Sequence, residues 1–496
     1  MPSSPANVPP HQAVAALEAR LNRLPLQGPV LLVIFIGAAS YLFDFYDQVS
    51  IGAVSKPLRT QLELSLEDFG LAVSVSYASL TVGAIVGGWL ADRVGRRVVL
   101  TASVLVLAGG SALVGLLSTD LLSLIVTRAV VGLGMGVLYP VALTYLVEML
   151  PVERRGRAVA IAFFFGSVGT VLATQAARWL VPLGPDGWRW VFVVGVVGVV
   201  VLVPVLRLPE SPRWLLSKGR TEEADAAVAR LERMATRAIG RPLAEPADVL
   251  LVDAADASAT TERKARTSEL LRKPYLLPLV LLSVAWVAQT GATLVITQFT
   301  PTILDLRGFS VEVALTVASV ITLGMLVGSF LASAAAKRIT GGRAAAIACV
   351  VAGLASAAFG LSGNTPLIVV GGFLTWVMMG IFTPLLLRVM SEQWPSYLRA
   401  RGNGIAFAVG RVAAIVAPVA LVAAVTSLGV DSAGWTMLAL WLVTAIAMWL
   451  VALRGPDFDK TVLARPSTMA ARPADSSDGG PAPEPRSPMG RHQREY

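Results

Sequence analysis

The sequence is poor in the residues that build soluble active sites. One of its 496 residues is cysteine and two are histidine. Cys349 alone excludes an intramolecular disulfide framework and any cysteine-ligated metal cluster. Inside an apolar run, one thiol reads as inert packing. His11 and His492 both lie in polar tails, so the body of the chain offers neither a histidine zinc site nor Ser-His-Asp chemistry. With no nucleophile–base or metal constellation elsewhere, the reading is of a protein that is not an enzyme and needs no cofactor. Charge is scarce as well. Charged residues make up 15% and hydrophobic residues 55%, against roughly a quarter charged in soluble domains. The bilayer must therefore be the solvent for much of the chain. The net charge of +9 does not mark a nucleic-acid binder, because the charges fall in short segments between apolar runs, as in basic cytoplasmic loops. The first 28 residues lack a basic start, an apolar stretch and a small-residue cleavage site in succession, so no signal peptide is expected. They carry only a short helical pattern around Gln12–Leu24.

What is present is a series of apolar runs long enough to cross about 30 Å of hydrocarbon. They lie near 30–53, 69–90, 98–118, 121–146, 157–181, 189–207, 275–300, 312–335, 344–362, 366–391, 403–427 and 434–453. The fold class expected is an all-α membrane protein with twelve transmembrane helices in two pseudo-symmetric six-helix halves. The organisation reads as a cytoplasmic N-terminal segment (1–28), a first half (29–207), a cytoplasmic linker with surface helices (208–273), a second half (274–454) and an unfolded tail (455–496). The tail is rich in Pro, Ser, Arg and Gly and lacks apolar surface to bury. In the linker, Arg220–Arg237 has the composition of a surface helix, with Leu231 and Met234 turned inward. Of the 41 Lys and Arg, Lys56, Arg59, Arg178, Arg189 and Arg307 fall on one side, Arg128, Arg388 and Arg411 within spans, and all others on the side of the N-terminus. By the positive-inside rule that side is cytoplasmic, which places the chain in a bacterial inner membrane with both termini inside.

The halves repeat each other. Gly136-x-x-x-Pro140, Glu148 and Pro151 return 244 positions later as Gly380-x-x-x-Pro384, Glu392 and Pro395. Arg155 pairs with Arg399, and Gly166 with Gly410, at the same shift. Gly83-x-x-x-Gly87-x4-Asp92 returns as Gly324-x-x-x-Gly328-x4-Ser333, shifted by 241. Two parallel six-helix repeats are what a carrier needs to rock about a central site.

Gly88-Trp-Leu-Ala-Asp92-Arg93-Val-Gly95-Arg96-Arg97 resembles the signature loop of the major facilitator superfamily. The resemblance implies that fold, with Asp92, Arg93, Arg96 and Arg97 forming a cytoplasmic latch. The second copy, Lys337 to Arg343, has lost the aspartate. Arg128-x-x-x-Gly132-x-Gly134-x-Gly136, Glu148-x-x-Pro151-x-x-x-Arg155-Gly156, Trp188-Arg-Trp-Val-Phe192 and Pro209-Glu210-Ser-Pro-Arg213-Trp214-Leu215 resemble its sugar-porter side. In that group Glu and Arg at the cytoplasmic helix ends form interhelical ion pairs, and Glu148, Arg155, Glu392 and Arg399 match those positions. The sugar ligands themselves are missing. The fifth-span glutamine position holds Phe163, the tenth-span Pro-Trp is absent, and Gln289-Thr-Gly291 lacks the following Asn and paired tyrosines. A hydroxyl-rich ligand needs dense hydrogen-bonding partners, which an aromatic cannot supply. Asp44-x-x-Asp47-x4-Gly52-x4-Pro57, Pro301-Thr-Ile-Leu304 with Gly308 and Ser310, and Gly410-Arg411-x4-Val416-x-Pro418 are similar instead to aromatic-acid/proton symporters and organic-ion relatives. Phe45 stands where that pattern has glycine, and the proline-containing antiporter signature is absent from Gly166–Ala177.

Charges deep in a span are costly and are functional or mutually paired. Asp44 and Asp47 share one helical face, and with no intramembrane histidine a carboxylate is the natural proton carrier. The matching aspartate and arginine pair in proton-coupled sugar porters; here these are Asp47 and Arg128, so the resemblance implies Asp47 as carrier with Arg128 setting its affinity. Arg411, near the midplane, is placed either to grip a substrate carboxylate in a fork or to compensate Asp44. Arg388 sits four residues before Glu392, which favours a local ion pair. Gln289, Tyr41, Phe163, Trp286, Trp376 and Phe382 are candidates to line the cavity. The function expected is proton-coupled uptake of a small organic anion by a monomer, with protons, substrate and the lipid bilayer as partners. A sugar or polyol symporter and a transporter-like membrane sensor are the alternatives.

Overall fold

Helix ends in this chain are set by polar caps that hydropathy does not register. In the computed structural model, which describes residues 10–245, 267–335 and 341–454, the second span starts at Leu66 because Ser65 and Asp68 close a capping box. The fourth starts at Leu121 behind Asp120, which caps the Ser123 amide. The twelve spans are Pro29–Ala53, Leu66–Val94, Arg96–Leu117, Leu121–Met149, Val152–Leu183, Gly187–Arg207, Leu276–Leu306, Val311–Ala335, Gly341–Leu361, Thr365–Glu392, Ser396–Leu428 and Asp431–Arg454. All twelve expected runs are therefore helices, most of them longer than the apolar run alone. The fifth begins at Val152 because Pro151 caps it and Asn22 accepts the Val152 amide at 3.0 Å. The sixth is irregular, with a 3-10 stretch over Val196–Val201. Glycines at 195 and 198 and Pro204, which has no N–H for the preceding turn, loosen the α-helical ladder there. The expected tail, Lys337 and Arg338 of the second signature loop, and residues 246–266 of the linker lie outside the described residues.

The sequence repeat is a packing repeat. A Cβ on Gly136 would sit 2.0 Å from the Leu80 carbonyl oxygen, so only glycine lets the fourth span lie against the second. Its counterpart Gly380 likewise lets the tenth lie against the eighth, with a Cβ there 2.7 Å from the Ser329 amide nitrogen. Glu148 and Glu392, Pro151 and Pro395 then fall at matching helix ends.

The linker and the N-terminal helix share one face of the molecule, here the linker face; the other is the far face. Side-chain hydrogen bonds that join the halves run from mid-membrane to the far face. Ser167 meets Ser329 at 2.8 Å, Thr174 meets Thr322 at 2.9 Å, and Ser55 meets Thr302 at 2.9 Å. Gln298 donates to the Gln48 carbonyl at 2.9 Å, and Lys56 pairs with Asp305. Toward the linker face, Gly156 of the fifth span and Gly404 of the eleventh face open space.

On the linker face, the N-terminal helix (Pro10–Asn22) packs against a short helix (Pro212–Ser217) and the linker helix (Thr221–Ile239). Leu17, Leu21, Leu24, Trp214, Val228 and Leu231 are buried there, and Met234 is half-buried. Arg20 forks onto Glu232 at 3.0 and 2.9 Å and reaches Asp225 at 3.0 Å; Arg23 reaches Glu232 at 2.6 Å. Burial opposes the Glu232 charge, but the hydrogen bonds from Arg20 and Arg23 outweigh it and hold the carboxyl below its usual range. A carboxyl depressed in this way contributes stability above its unfolded value, about 4.3, and loses it as pH falls through the lower folded value. The docked helix should therefore persist at neutral pH and release in acid. Fluorophores at Val14→Cys and Ala226→Cys, in a Cys349→Ala background, would report the separation. Glu232→Gln should release the helix at pH 7; unchanged docking would remove this carboxylate from the role.

Candidate transport site

Two charged groups lie buried together in the first half. Asp47 of the first span and Arg128 of the fourth have side chains 3% and 2% exposed, and their Oδ2 and Nη1 atoms are 2.9 Å apart. The rest of the cage is built from small hydroxyls and a ring. Arg128 Nε donates to Ser76 Oγ at 3.2 Å, and the guanidinium lies 5.9 Å from the Phe192 ring centroid. Ser111 Oγ is 2.9 Å from Asp47 Oδ1 and 3.0 Å from the Phe192 carbonyl oxygen. Both Asp47 oxygens are thus engaged, by groups of the third and fourth spans, inside one half and, among the described residues, without contribution from the other.

Asp44, three residues earlier, is in a different situation. It is 3% exposed, makes no hydrogen bond among the described residues, and its Oδ1 is sealed from solvent without a partner. Arg411 of the eleventh span, in the opposite half, lies within electrostatic range of Asp44, Tyr77 and Tyr139. Among the described residues the Arg411 guanidinium makes no ion pair; it lies over the Phe407 ring, 5.2 Å to the centroid. The wall beside Asp44 is aromatic. Tyr41 stacks on Tyr139 at 4.6 Å and meets Phe163 edge-on at 5.3 Å, and Phe45 stacks at 6.3 Å. The Tyr41 hydroxyl has no partner at hydrogen-bond geometry, with only the Tyr139 hydroxyl nearby. Buried polar atoms without partners are rare and call for an explanation. Among the described residues Asp44 Oδ1, Tyr41 Oη, Gln289 Oε1, Gln298 Oε1 and Trp376 Nε1 all lack one. Trp376 also lines a small cavity with Val49, Thr174, Thr300 and Thr322 between the halves.

Comparison with known proteins gives the same architecture. The sequence pattern of the Major Facilitator Superfamily matches residues 34–379. The chain belongs to the major facilitator superfamily. It is a multi-pass membrane transporter and not an enzyme. Relatives of this facilitator include the niacin transporter of Acinetobacter baylyi, 28% identical over 81% of this chain and 89% of its own. The gallate transporter of Pseudomonas putida is 28% identical over 82% of this chain and 88% of its own. An arabinose-proton symporter of Bacillus subtilis is 29% identical over 78% and 84%. Among solved structures, a D-xylose-proton symporter superposes with a TM-score of 0.66 at 18% identity, over 85% of this chain and 97% of its own, which is a likeness of fold.

The linker-face residues of this facilitator are arranged differently from the expectation. Glu148 pairs with Arg96 at 3.3 Å, whereas Arg155 turns to the Leu150 carbonyl at 3.1 Å. The two are on adjacent helices, but the Pro151 turn points them apart. Glu392 pairs within its own helix with Arg388 at 2.9 Å, the local pair that their spacing implies, and Arg399 is exposed. Asp92, with a side chain 72% exposed, reaches only Arg96 at 2.8 Å, and Arg93 lies over Trp89 at 4.1 Å. What fastens the signature loop is Glu210, which sequence reasoning passed over. Its carboxylate accepts the Arg96 and Arg97 amides at 2.9 and 3.0 Å at the start of the third span, where anionic caps are favoured. Gly95, at φ 116°, admits it: a Cβ there would lie 2.3 Å from Glu210 Oε2. Of the aromatic candidates, Phe163 joins the Tyr41 cluster. Trp286 is drawn into the second half, donating to Met390 Sδ at 2.7 Å and meeting Phe407 at 4.8 Å. Phe382 is not a lining residue; it is buried against Trp441 within the second half. Ser76, Ser111, Tyr77, Tyr139 and Gln298 were missed.

Proposed function

We propose that this facilitator is a proton-coupled importer of a small organic anion, an aromatic monocarboxylate foremost. The observation that carries the reading is Arg411: a guanidinium near mid-membrane, half-buried and without an ion pair among the described residues, across from the Tyr41–Tyr139–Phe163 wall. A planar fork recognises a carboxylate bidentately, and an aromatic wall takes a flat ring by stacking. The names of the niacin and gallate relatives support the same class. The distribution of basic residues supports a cytoplasmic linker face in a bacterial inner membrane. One chain holds both halves, so alternating access needs no second copy, and the proton gradient serves as driving force with no cofactor. The far-face seam, with open space toward the linker face, fits an inward-facing stage of that cycle.

A sugar reading is favoured by one observation, the buried Gln289 Oε1, which a ligand hydroxyl would satisfy, and by the arabinose relative. Phe163 on the opposite wall weighs against it. A thermal-shift series on purified protein separates the two. Niacin or gallate at about a hundred times its Kd should stabilise the fold by about 2.7 kcal/mol, and arabinose should leave the melting point unchanged. A shift with arabinose and none with either acid would reverse the assignment.

A further inference from the structure

We propose that Asp44, rather than Asp47, takes up the cotransported proton, and that the substrate carboxylate drives this by displacing Asp44 as the counter-ion of Arg411. The inference rests on the organic-anion reading and extends it to the coupling step. The two aspartates share a helical face but not a circumstance. Asp47 is held by Arg128 at contact distance and by Ser111. Neutralising it would strand the Arg128 charge in a buried cage, which is strongly unfavourable. Among the described residues Asp44 makes no hydrogen bond and its Oδ1 is sealed without a partner, and an unpartnered buried carboxylate is costly as an ion. The groups around it are Asp47 and Tyr41 on its own helix, Tyr77 from the second span, Tyr139 from the fourth and Arg411 from the eleventh. The tyrosines are neutral and Asp47 is already matched, so among the described residues Arg411 is the cation whose field is available to it.

That field comes from the other half. A substrate carboxylate that docks on Arg411 makes contact hydrogen bonds that Asp44 lacks, and so takes over as counter-ion. Asp44 is then an ion with neither donor nor counter-charge, and it binds one proton from the adjoining water. The occupied state carries RCOO⁻ and H⁺ together, with Asp44 neutral and Arg411 paired. Departure of the acid returns Arg411 to Asp44 and releases the proton. Net charge moved is zero, so accumulation should follow the pH gradient and not the membrane potential.

The test counts protons. Niacin binding to purified protein, measured by calorimetry in buffers of different ionisation enthalpy, should take up about one proton per acid in the wild type. The affinity should weaken by up to tenfold per pH unit above the range where Asp44 titrates. In Asp44→Asn the proton uptake should fall to near zero and the pH slope should vanish. Asp44→Glu, which keeps a titratable group and guards against a folding defect, should retain both. The double variant Asp47→Asn/Arg128→Gln, which removes both charges of the buried pair, should also retain proton uptake. Uptake that persists in Asp44→Asn, or disappears in the double variant, would overturn the assignment while leaving the organic-anion reading intact. Absence of acid binding to the wild type would overturn that reading, and this one with it.

Discussion

Arg411→Gln is expected to lose acid binding almost entirely while folding as well as the wild type. Truncating one partner of a desolvated, hydrogen-bonded charge pair costs about 2 kcal/mol or more, which is roughly thirtyfold or more in Kd. The protein itself gives up little, because among the described residues Arg411 makes no ion pair at contact distance. Removing this half-buried charge should leave the melting temperature of the empty protein little changed, because Asp44, deprived of its counter-charge, takes up a proton. Arg411→Lys keeps the charge but not the planar fork, so its affinity should fall between the two. Equilibrium binding of niacin and gallate, alongside melting curves of the empty variants, checks both halves of the statement. Normal acid binding by Arg411→Gln would make its role structural and reopen the substrate class.

Arg128→Gln should do the opposite, with its main effect on stability. The substitution leaves the Asp47 carboxylate, 3% exposed, without its cation, and breaking a buried pair by one partner costs about 3–5 kcal/mol. Ser76 and Ser111 cannot compensate a full charge. Asp47→Asn strands Arg128 in the same way. The double variant Asp47→Asn/Arg128→Gln removes both charges together, and most of the loss should be recovered. Denaturation in detergent, followed through the cycle of single and double variants, gives the coupling directly. Additive losses would show that the pair does not act as one unit.

These two arginines show what could be read ahead of the structure. The spans were legible because an apolar run of eighteen or more residues has few other uses, and the repeat was legible because Gly136 and Gly380 make the same close approach. Asp47 and Arg128 were legible because an unpaired charge at that depth is too costly to be incidental. The cage around them was not. Ser76 and Ser111 look like the small residues that every close helix contact employs, and only the rotation of their helices turns them onto the pair. Glu148 does form an interhelical pair, with Arg96, but Arg155 does not, because spacing along the chain does not say which way the Pro151 turn directs each side chain. Glu210 was read as part of a motif, but its work is done on backbone amides 113 and 114 residues away, which carry no side-chain signal. The resemblance singled out Asp47; that Asp44 Oδ1 is buried without a partner among the described residues became visible only when the neighbouring helices were in place.

The seam between the fifth and eighth spans has a consequence for speed. Ser167 with Ser329 and Thr174 with Thr322 are neutral hydroxyl pairs seven residues apart on each helix. A pair of this kind nets only about 1 kcal/mol, because water replaces either partner as soon as it is admitted. Parting these two helices therefore strands no charge, and the Lys56–Asp305 pair that also joins the halves on the far face is partly open to water. A gate welded by buried ions would hold one side shut so firmly that the empty carrier seldom reset. This one seals by fit and lets go cheaply, which leaves the pace of the cycle to the cargo.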